Sequence, residues 1–528
     1  AIKTGPVEQV QQELVLQLES GQMIGLDAAK IKQIIATMGE LYSDQPLDEQ
    51  QQIQLPEQQL MQVARLQQNW QEADSDKQQD ASDAADTSAT GSRLKWLGDD
   101  AIKNKVAALQ QVKHLPRIKP PSGLLAELRD YQHQGFSWLC FLQQHQLHGL
   151  LADDMGLGKT IQTLALLLHQ KQDNIAGAPS LLVAPTSLLG NWQAESERFT
   201  PDLKVLILAG DKREALYQSW ADYDLVVTSY GIMNRDMPRL KSLPVHYLIL
   251  DEAQAIKNRK TQTAQAAKTI PSKHRLCLSG TPVENHLGEL WSMFDFLMPG
   301  FLGSERLFQQ VYQFPIEKDH NQERLQELQH RMAPFILRRT KSEVAKELPD
   351  KNDIVKMIDL NDRQAHVYES IRLTMVDEIK QAFKDHQGNQ ILIGNALLRL
   401  RQVCCHPSLV NLESVDKTAP SAKLDWLMTA IPMLVEEGRR ILVFSSFTGM
   451  LSLIEEQLSS IDIPYFSLTG KTPAKQRTLD IKRFQNEEVP VYLISLKAGG
   501  AGINLTAADT VIHYDPWWNP AAEQQASD

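Results

Sequence analysis

From about residue 119 onward, apolar side chains come in short runs separated by stretches where they recur at helical spacing. The runs are GLLA (149–152), LLVA (181–184), VLIL (205–208), LVVTS (225–229), YLIL (247–250) and RLCLS (275–279). A second series follows at ILVFSS (441–446), YFSL (465–468), VYLIS (491–495) and TVIHY (510–514). Short β-type runs alternating with amphipathic helical stretches predict a parallel sheet covered by helices. Residues 300–440, between the two series, carry mostly helical spacing. The pattern predicts an α/β protein with two tandem lobes and helical insertions: 119–350 as the first lobe with a helical protrusion, 351–528 as the second with a helical insertion. Upstream the pattern differs. Residues 1–71 are glutamine-rich, with apolar positions at helical period (Ile24, Ala28, Ile31, Ile34, Ile35, then Leu60, Val63, Leu66, Trp70), and predict a helical accessory region. Residues 72–92 contain no large apolar side chain and predict a flexible acidic linker, with 93–118 as a lead-in.

Composition narrows the class. Hydrophobic residues make up 42% and charged residues 23% of the 528, which excludes disorder throughout. The longest apolar runs, such as LALLL at 164–168, are far too short to span a bilayer, so no membrane partner is expected. Four cysteines without a CxxC pair make neither a disulfide framework nor a zinc site. The adjacent Cys404 and Cys405 cannot easily both ligate one tetrahedral ion, and the stretch reads instead as a helix ending at Pro407. The first residue is Ala1, and the sequence is expected to begin inside a longer polypeptide.

A net charge of −11 at first argues against a nucleic-acid partner. Its distribution reverses that. Residues 1–100 hold 17 acidic and 7 basic side chains, while the remaining 428 hold 48 and 47. The lobes are near neutrality and have room for local basic stripes such as Lys257, Arg259, Lys260 and Arg338, Arg339, Lys341.

Candidate chemistry sits where strands end. GLLA runs into Asp153-Asp154-Met155-Gly156-Leu157-Gly158-Lys159-Thr160 and then an apolar helical stretch. A strand, a glycine turn and a helix make a phosphate loop, whose backbone N–H groups and helix N-terminus hold phosphates. Lys159 is positioned to reach the β- and γ-phosphates of ATP, and the Thr160 hydroxyl to ligate Mg²⁺. Asp153 stands where the generic pattern has its first glycine. Further on, YLIL runs into Asp251-Glu252-Ala253-Gln254. Two carboxylates at the C-terminal end of a buried strand lie where an α/β sheet places ligand chemistry. Asp251 suits the Mg²⁺ shell and Glu252 the orientation or deprotonation of an attacking water.

The ordered set of segments from residue 119 to the end resembles the Swi/Snf family of double-stranded-DNA-translocating ATPases in helicase superfamily two. Those segments are LRDYQHQGFSWL (128–139), LADDMGLGKT (151–160), LLVAPTSLLGNW (181–192), VVTSYG (226–231), LILDEAQAIKN (248–258), LSGTPVEN (278–285), FILRRTKSEV (335–344), LRQVCCHP (400–407), ILVFSSFT (441–448) and SLKAGGAGINLTAADTVIHYDPWWNP (495–520). The resemblance carries Asp153 with it, and Gln254 stands where many relatives have histidine. It implies two RecA-like lobes, ATP and Mg²⁺ as cofactors, Gln132 as the adenine-recognising residue, and Ser279, Gly280 and Thr281 as the coupling between nucleotide site and DNA track. Read from the residues alone, Ser279-Gly280-Thr281 is a strand-to-helix turn with capping hydroxyls. Pro185, Thr186, Ser187, Thr228 and Ser229 in the first lobe, with Ser446, Lys497, Gly499 and Gly500 in the second, are expected to grip backbone phosphates, with helix capping or a plain glycine turn as the alternative.

The expected activity is DNA-dependent ATP hydrolysis driving movement along duplex DNA by a monomeric, cytoplasmic, nucleoid-associated protein. RNA polymerase or other DNA-bound proteins are candidate partners. The family pattern continues past Asp528 with an arginine-rich segment that completes the ATP site, so this chain is expected to bind ATP–Mg²⁺ and to hydrolyse it weakly. An RNA-directed or strand-separating helicase, and a non-catalytic ATP-gated scaffold, stay open as alternatives.

Overall fold

The computed structural model describes residues 13–17, 23–27, 115–210, 213–281, 283, 286–344, 352–384, 390–410, 419–499, 505–517, 523, 526 and 527. Strands β1 (Glu13–Gln17) and β2 (Met23–Asp27) pair antiparallel, Leu14 opposite Leu26 and Leu16 opposite Ile24. This corrects the helical reading of the leader at Ile24. The apolar run Leu14-Val15-Leu16 is short and bounded by polar residues, which favours a strand over a helix there. The linker at 72–92 and the rest of the expected helical region lie outside the described residues.

The chain divides into two compact units, the first ending at Arg339 and the second holding Thr340 onward together with the short segments Met155–Leu157 and Pro185–Ala194. The first unit extends to Arg339 because a two-residue strand, Ile336–Leu337, is still paired into its sheet.

The first unit is built on seven strands: β3 (Gly149–Leu151), β4 (Ser180–Ala184), β5 (Val205–Ile207), β6 (Leu225–Ser229), β7 (Tyr247–Asp251), β8 (His274–Leu278) and β9 (Ile336–Leu337). They are all parallel, in the order β5-β6-β4-β7-β8-β3-β9. Leu181 to Ala184, Leu225 to Val227 and Leu248 to Leu250 are fully buried. Strands covered on both faces read as continuous apolar runs, which is why the sequence showed runs and not alternation. Covering helices include α1 (Asp130–Gln144) and α2 (Lys159–Gln172).

The second unit holds a smaller parallel sheet of β10 (Ile441–Ser445), β11 (Tyr465–Leu468), β12 (Val491–Ser495) and β13 (Thr510–His513), ordered β11-β12-β10-β13. Period-two geometry splits each strand between two cores. Ile441, Val443, Val491 and Leu493 pack on one face with Leu451, Ile454 and Leu427, and Leu442, Phe444, Tyr492 and Ile494 pack on the other with Phe484. The helices α3 (Asp362–Lys384) and α4 (Gln390–Cys405) bury Val367, Ile371 and Met375, one turn apart, against Ala396 and Val403. Among the described residues, no helix is long and apolar enough to cross a membrane.

Candidate functional site

Parallel register decides which strand ends meet. Leu151 of β3 and Asp251 of β7 both pair with Leu278 of β8, one from each side. The glycine loop and the acidic pair therefore flank Ser279 at the carboxyl edge of one sheet, separated by two strand spacings, about 10 Å.

After β3 the chain enters a loop with Gly156 and Gly158 at φ 81° and 78°, the left-handed region. Gly158 caps α2, so the helix starts at Lys159 with its first N–H groups facing the loop. A Cβ on Gly158 would stand 2.5 Å from Gln132 Nε2, so close packing as well as backbone conformation requires glycine. That contact sets Gln132, the expected adenine residue, directly over the loop, with its Oε1 accepting from the Arg129 N–H at 3.0 Å. Lys159 Nζ donates to the carbonyls of Asp153 (2.7 Å) and Asp154 (3.2 Å). Burial pushes its ammonium pKa down, while Glu252, Asp251, Asp153 and Asp154 push it back up. The lysine thus lies within the field of both carboxylates from β7.

At the end of β7, Asp251 and Glu252 are each 7% exposed. Glu252 takes φ 49° and ψ 57°, a left-handed conformation that costs a non-glycine residue roughly 1–3 kcal/mol. Hydrogen bonds hold it there. Asp251 Oδ1 accepts from the Glu252 N–H at 3.0 Å, Tyr230 donates its hydroxyl to the Asp251 carbonyl at 2.7 Å, and Gln254 Nε2 donates to Glu252 Oε2 at 2.8 Å. Gln254 Oε1 in turn accepts from Ser279 Oγ at 3.2 Å, and Ser279 Oγ accepts from the Thr281 N–H at 3.1 Å. Glu252, Gln254, Ser279 and Thr281 form one continuous chain, to which the glutamine contributes both an amide donor and a carbonyl acceptor. As to a metal, the Asp251 carboxylate and Thr160 hydroxyl are hard oxygen donors, the set that suits Mg²⁺ completed by phosphate oxygens and water.

A SNF2-related domain matches residues 131–409 and a helicase conserved C-terminal domain matches 422–528. The chain belongs to the SNF2-related family. It is 39% identical over 461 residues to a Bacillus subtilis protein named as the ATP-dependent helicase/translocase YwqA, covering 85% of this chain and 49% of that one. It is 35% identical over 421 residues to the ISWI chromatin-remodeling complex ATPase ISW2 of Saccharomyces cerevisiae, covering 76% and 37%. The chain thus spans about half or less of the length of these relatives. A solved structure, the Sulfolobus solfataricus SWI2/SNF2 ATPase core in complex with dsDNA, is 36% identical and covers 77% of this chain and 85% of its own, with a TM-score of 0.44.

Several residues expected from the SNF2-family segments have partners within the fold. Asp153, expected in the phosphate loop, is fully buried, and its carboxylate is held by Arg339 and Gln162. Thr228 and Ser229, expected at DNA phosphates, are 0% and 4% exposed. The Thr228 hydroxyl donates to the Leu208 carbonyl at 2.9 Å, and Ser229 accepts from the Ile232 N–H as a helix cap. Ser446 gives its amide N–H to both oxygens of Asp515 (3.1 and 3.0 Å), and its hydroxyl is buried without a partner. Of the basic stripes, Arg259 pairs with Glu305 at 2.5 Å, Lys257 lies 3.8 Å from Glu289, and Arg339 is buried.

Pro185, Thr186 and Ser187 do sit at the carboxyl edge beyond β4, with Thr186 exposed. Lys497 and Gly499 lie in the helical turn after β12, and Gly500 is outside the described residues. Reading the sequence missed Gln162, Tyr230, Arg401 and Asp515, and took Arg339 only as one cation of a basic stripe. Arg401 donates to the Pro516 carbonyl at 2.9 Å and lies 4.9 Å above Trp517, which is what ties LRQVCCHP to DPWWNP. No spacing rule links residues 115 apart, so only the family segments signalled that pair.

Proposed function

We propose that the chain carries the ATP-hydrolysing motor of a translocase that moves along double-stranded DNA. One observation carries this reading: the parallel register across β8 brings Lys159, with its phosphate-loop N–H groups, to the same sheet edge as Asp251 and Glu252, and Lys159 feels both charges. The helix N-terminus and Lys159 neutralise the β- and γ-phosphates, and Gln132 reads the adenine from above the loop. Thr160 and Asp251 would hold Mg²⁺, which supplies charge neutralisation at the phosphates when bound. Glu252, fixed in its left-handed turn, orients and deprotonates the attacking water. The hydrogen-bond chain through Gln254 makes Ser279 and Thr281 respond to the state of Glu252, and Thr186 presents an exposed hydroxyl on the same edge for a backbone phosphate. Duplex DNA as the track is supported by the family segments and by a relative named as a chromatin-remodeling ATPase.

The test is ATP turnover with duplex DNA, single-stranded DNA and RNA. Stimulation by the duplex alone, weakening as salt rises, is the expected result. Equal stimulation by RNA or by a single strand would refute the duplex reading.

A further inference from the structure

Asp153 breaks the generic phosphate-loop pattern, and the structure shows what it does there. Its carboxylate receives a two-pronged contact from Arg339, with Nε to Oδ1 at 2.8 Å and Nη2 to Oδ2. The same guanidinium donates to the Tyr131 carbonyl on α1 and to Gln162 Oε1 at 2.9 Å on α2, and it lies over the Tyr131 ring. Gln162 closes the cluster by donating to Asp153 Oδ2 (3.3 Å) and to the Gly158 carbonyl (3.1 Å). Arg339 is 7% exposed, and Asp153 and Gln162 are not exposed at all. Room has been made for this. A Cβ on Gly135 of α1 would come within 1.8 Å of Gln162 Oε1 and 2.8 Å of Arg339 Nη2, so α1 passes bare at that point. The ladder between the chains on either side continues past the strands, with the Ala152 N–H donating to the Leu337 carbonyl (2.7 Å) and the Asp154 N–H to the Arg339 carbonyl (3.0 Å).

A buried charge pair of this kind is a costly way to obtain stability alone, since a well-packed neutral replacement often serves as well. Its position gives it another use. Arg339 is the last residue of the first unit. Asp153 carries the carbonyl that holds Lys159 Nζ, and Tyr131 precedes Gln132. We propose that Arg339 is a positioning residue that sets the phosphate loop through Asp153. Nucleotide affinity is then governed from the point where the chain leaves the first unit, and a displacement of Thr340 reaches Lys159 through one rigid guanidinium. The inference rests on the reading of this loop as an ATP site.

The experiment titrates the chain with a fluorescent N-methylanthraniloyl ATP in Mg²⁺ and records the thermal midpoint of the same samples. The variants are Arg339→Lys, Asp153→Asn and the neutral pair Asp153→Asn with Arg339→Gln. Displacing a positioned group by about 1 Å can cost up to about 100-fold. Each single variant is expected to raise the Kd at least about tenfold, Arg339→Lys included, because an ammonium cannot span the Asp153, Tyr131 and Gln162 acceptors together. The neutral pair is expected to bring the midpoint back toward that of the unaltered chain while the Kd stays raised. Should a single variant lose its fold, the neutral pair carries the test. Folded variants that bind the analogue like the unaltered chain, or a neutral pair that restores affinity together with the midpoint, would overturn the proposal and leave Arg339 a structural residue. An unaltered chain that binds no analogue overturns the ATP reading itself, which is a different result.

Discussion

The two edges of the first unit's sheet treat charge in opposite ways. At the carboxyl edge, Asp251, Glu252 and Lys159 are gathered and held by hydrogen bonds, and the surrounding carboxylates oppose the burial that lowers the Lys159 pKa. At the amino edge, His148 before β3, His246 before β7 and His274 opening β8 are stripped of charge. Burial pulls the three pKa values down to about 4, about 4 and about 3, with Arg275, Lys273 and the neighbouring histidines adding to the effect. His274 stacks on Tyr247 at 4.8 Å and lies 5.3 Å from His246, and neither of its ring nitrogens has a partner. His246 shares a hydrogen bond with Gln170 at 3.0 Å, and His148 Nδ1 accepts from the Arg275 N–H at 3.1 Å. One fold therefore buries polar groups twice. At one edge they are poised to receive a charged ligand, and at the other they are neutral packing that a proton would disrupt.

Changes to Glu252 and Lys159 at the carboxyl edge should give the largest effects and leave the fold alone. Glu252→Gln keeps the shape and the contact to Gln254 but removes the base, so turnover should fall by roughly 10²–10⁴-fold while ATP still binds. Single-turnover hydrolysis beside equilibrium binding checks this, and a variant that hydrolyses normally would remove Glu252 from the chemistry. Lys159→Ala takes away the cation facing the phosphates and should cost about 10²–10³-fold in turnover and weaken binding as well, with the thermal midpoint within a few degrees of the unaltered chain.

The amino edge should answer to pH and not to nucleotide. The folded histidines stay neutral down to about pH 4, whereas their unfolded forms take up protons below about 6.5. The unfolded state binds more protons in that window. The contribution is thus intact above about pH 6.5 and is lost as pH falls toward 4, at about 1.4 kcal/mol per pH unit for each histidine. Urea unfolding at pH 7, 6 and 5 reads the slope. His274→Leu should remove about one histidine's share of it and leave the Kd for ATP at pH 7 unchanged. A slope that does not change in that variant would show that the acid sensitivity arises elsewhere.

The ten strands read from apolar runs all appear, within a residue at each end, because parallel strands buried on both faces advertise themselves as continuous apolar segments. Ile336–Leu337 was invisible, since two residues carry no period. The glycine turn before a helix and the two carboxylates at a strand end were legible because both features are local in the chain. The surroundings of the residues expected at DNA were not. Thr186 and Thr228 both follow or end an apolar strand within a Thr/Ser pair, yet one is exposed and the other has no exposure. What separates them is whether a neighbouring strand offers a carbonyl, and that depends on sheet order and not on the residues beside them. Arg339 was hidden likewise, appearing as one cation in a basic stripe until β9 placed it beside Asp153.

Thr228 supplies the smallest effect and tests how far the carboxyl edge serves a ligand at all. Its hydroxyl spends its proton on the Leu208 carbonyl at 2.9 Å, where β5's chain leaves the ladder, and no water reaches it. Thr228→Val keeps the volume and the β-branch while leaving that carbonyl short of a donor, so the stability cost should be about 1–2 kcal/mol. Duplex affinity, measured by fluorescence anisotropy across a salt series, should match the unaltered chain in both Kd and slope. Were the hydroxyl instead bound to a DNA phosphate, its removal would weaken duplex binding at every salt concentration. That outcome would mean the strand end opens when DNA binds, and it would place Thr228 among the residues facing the duplex.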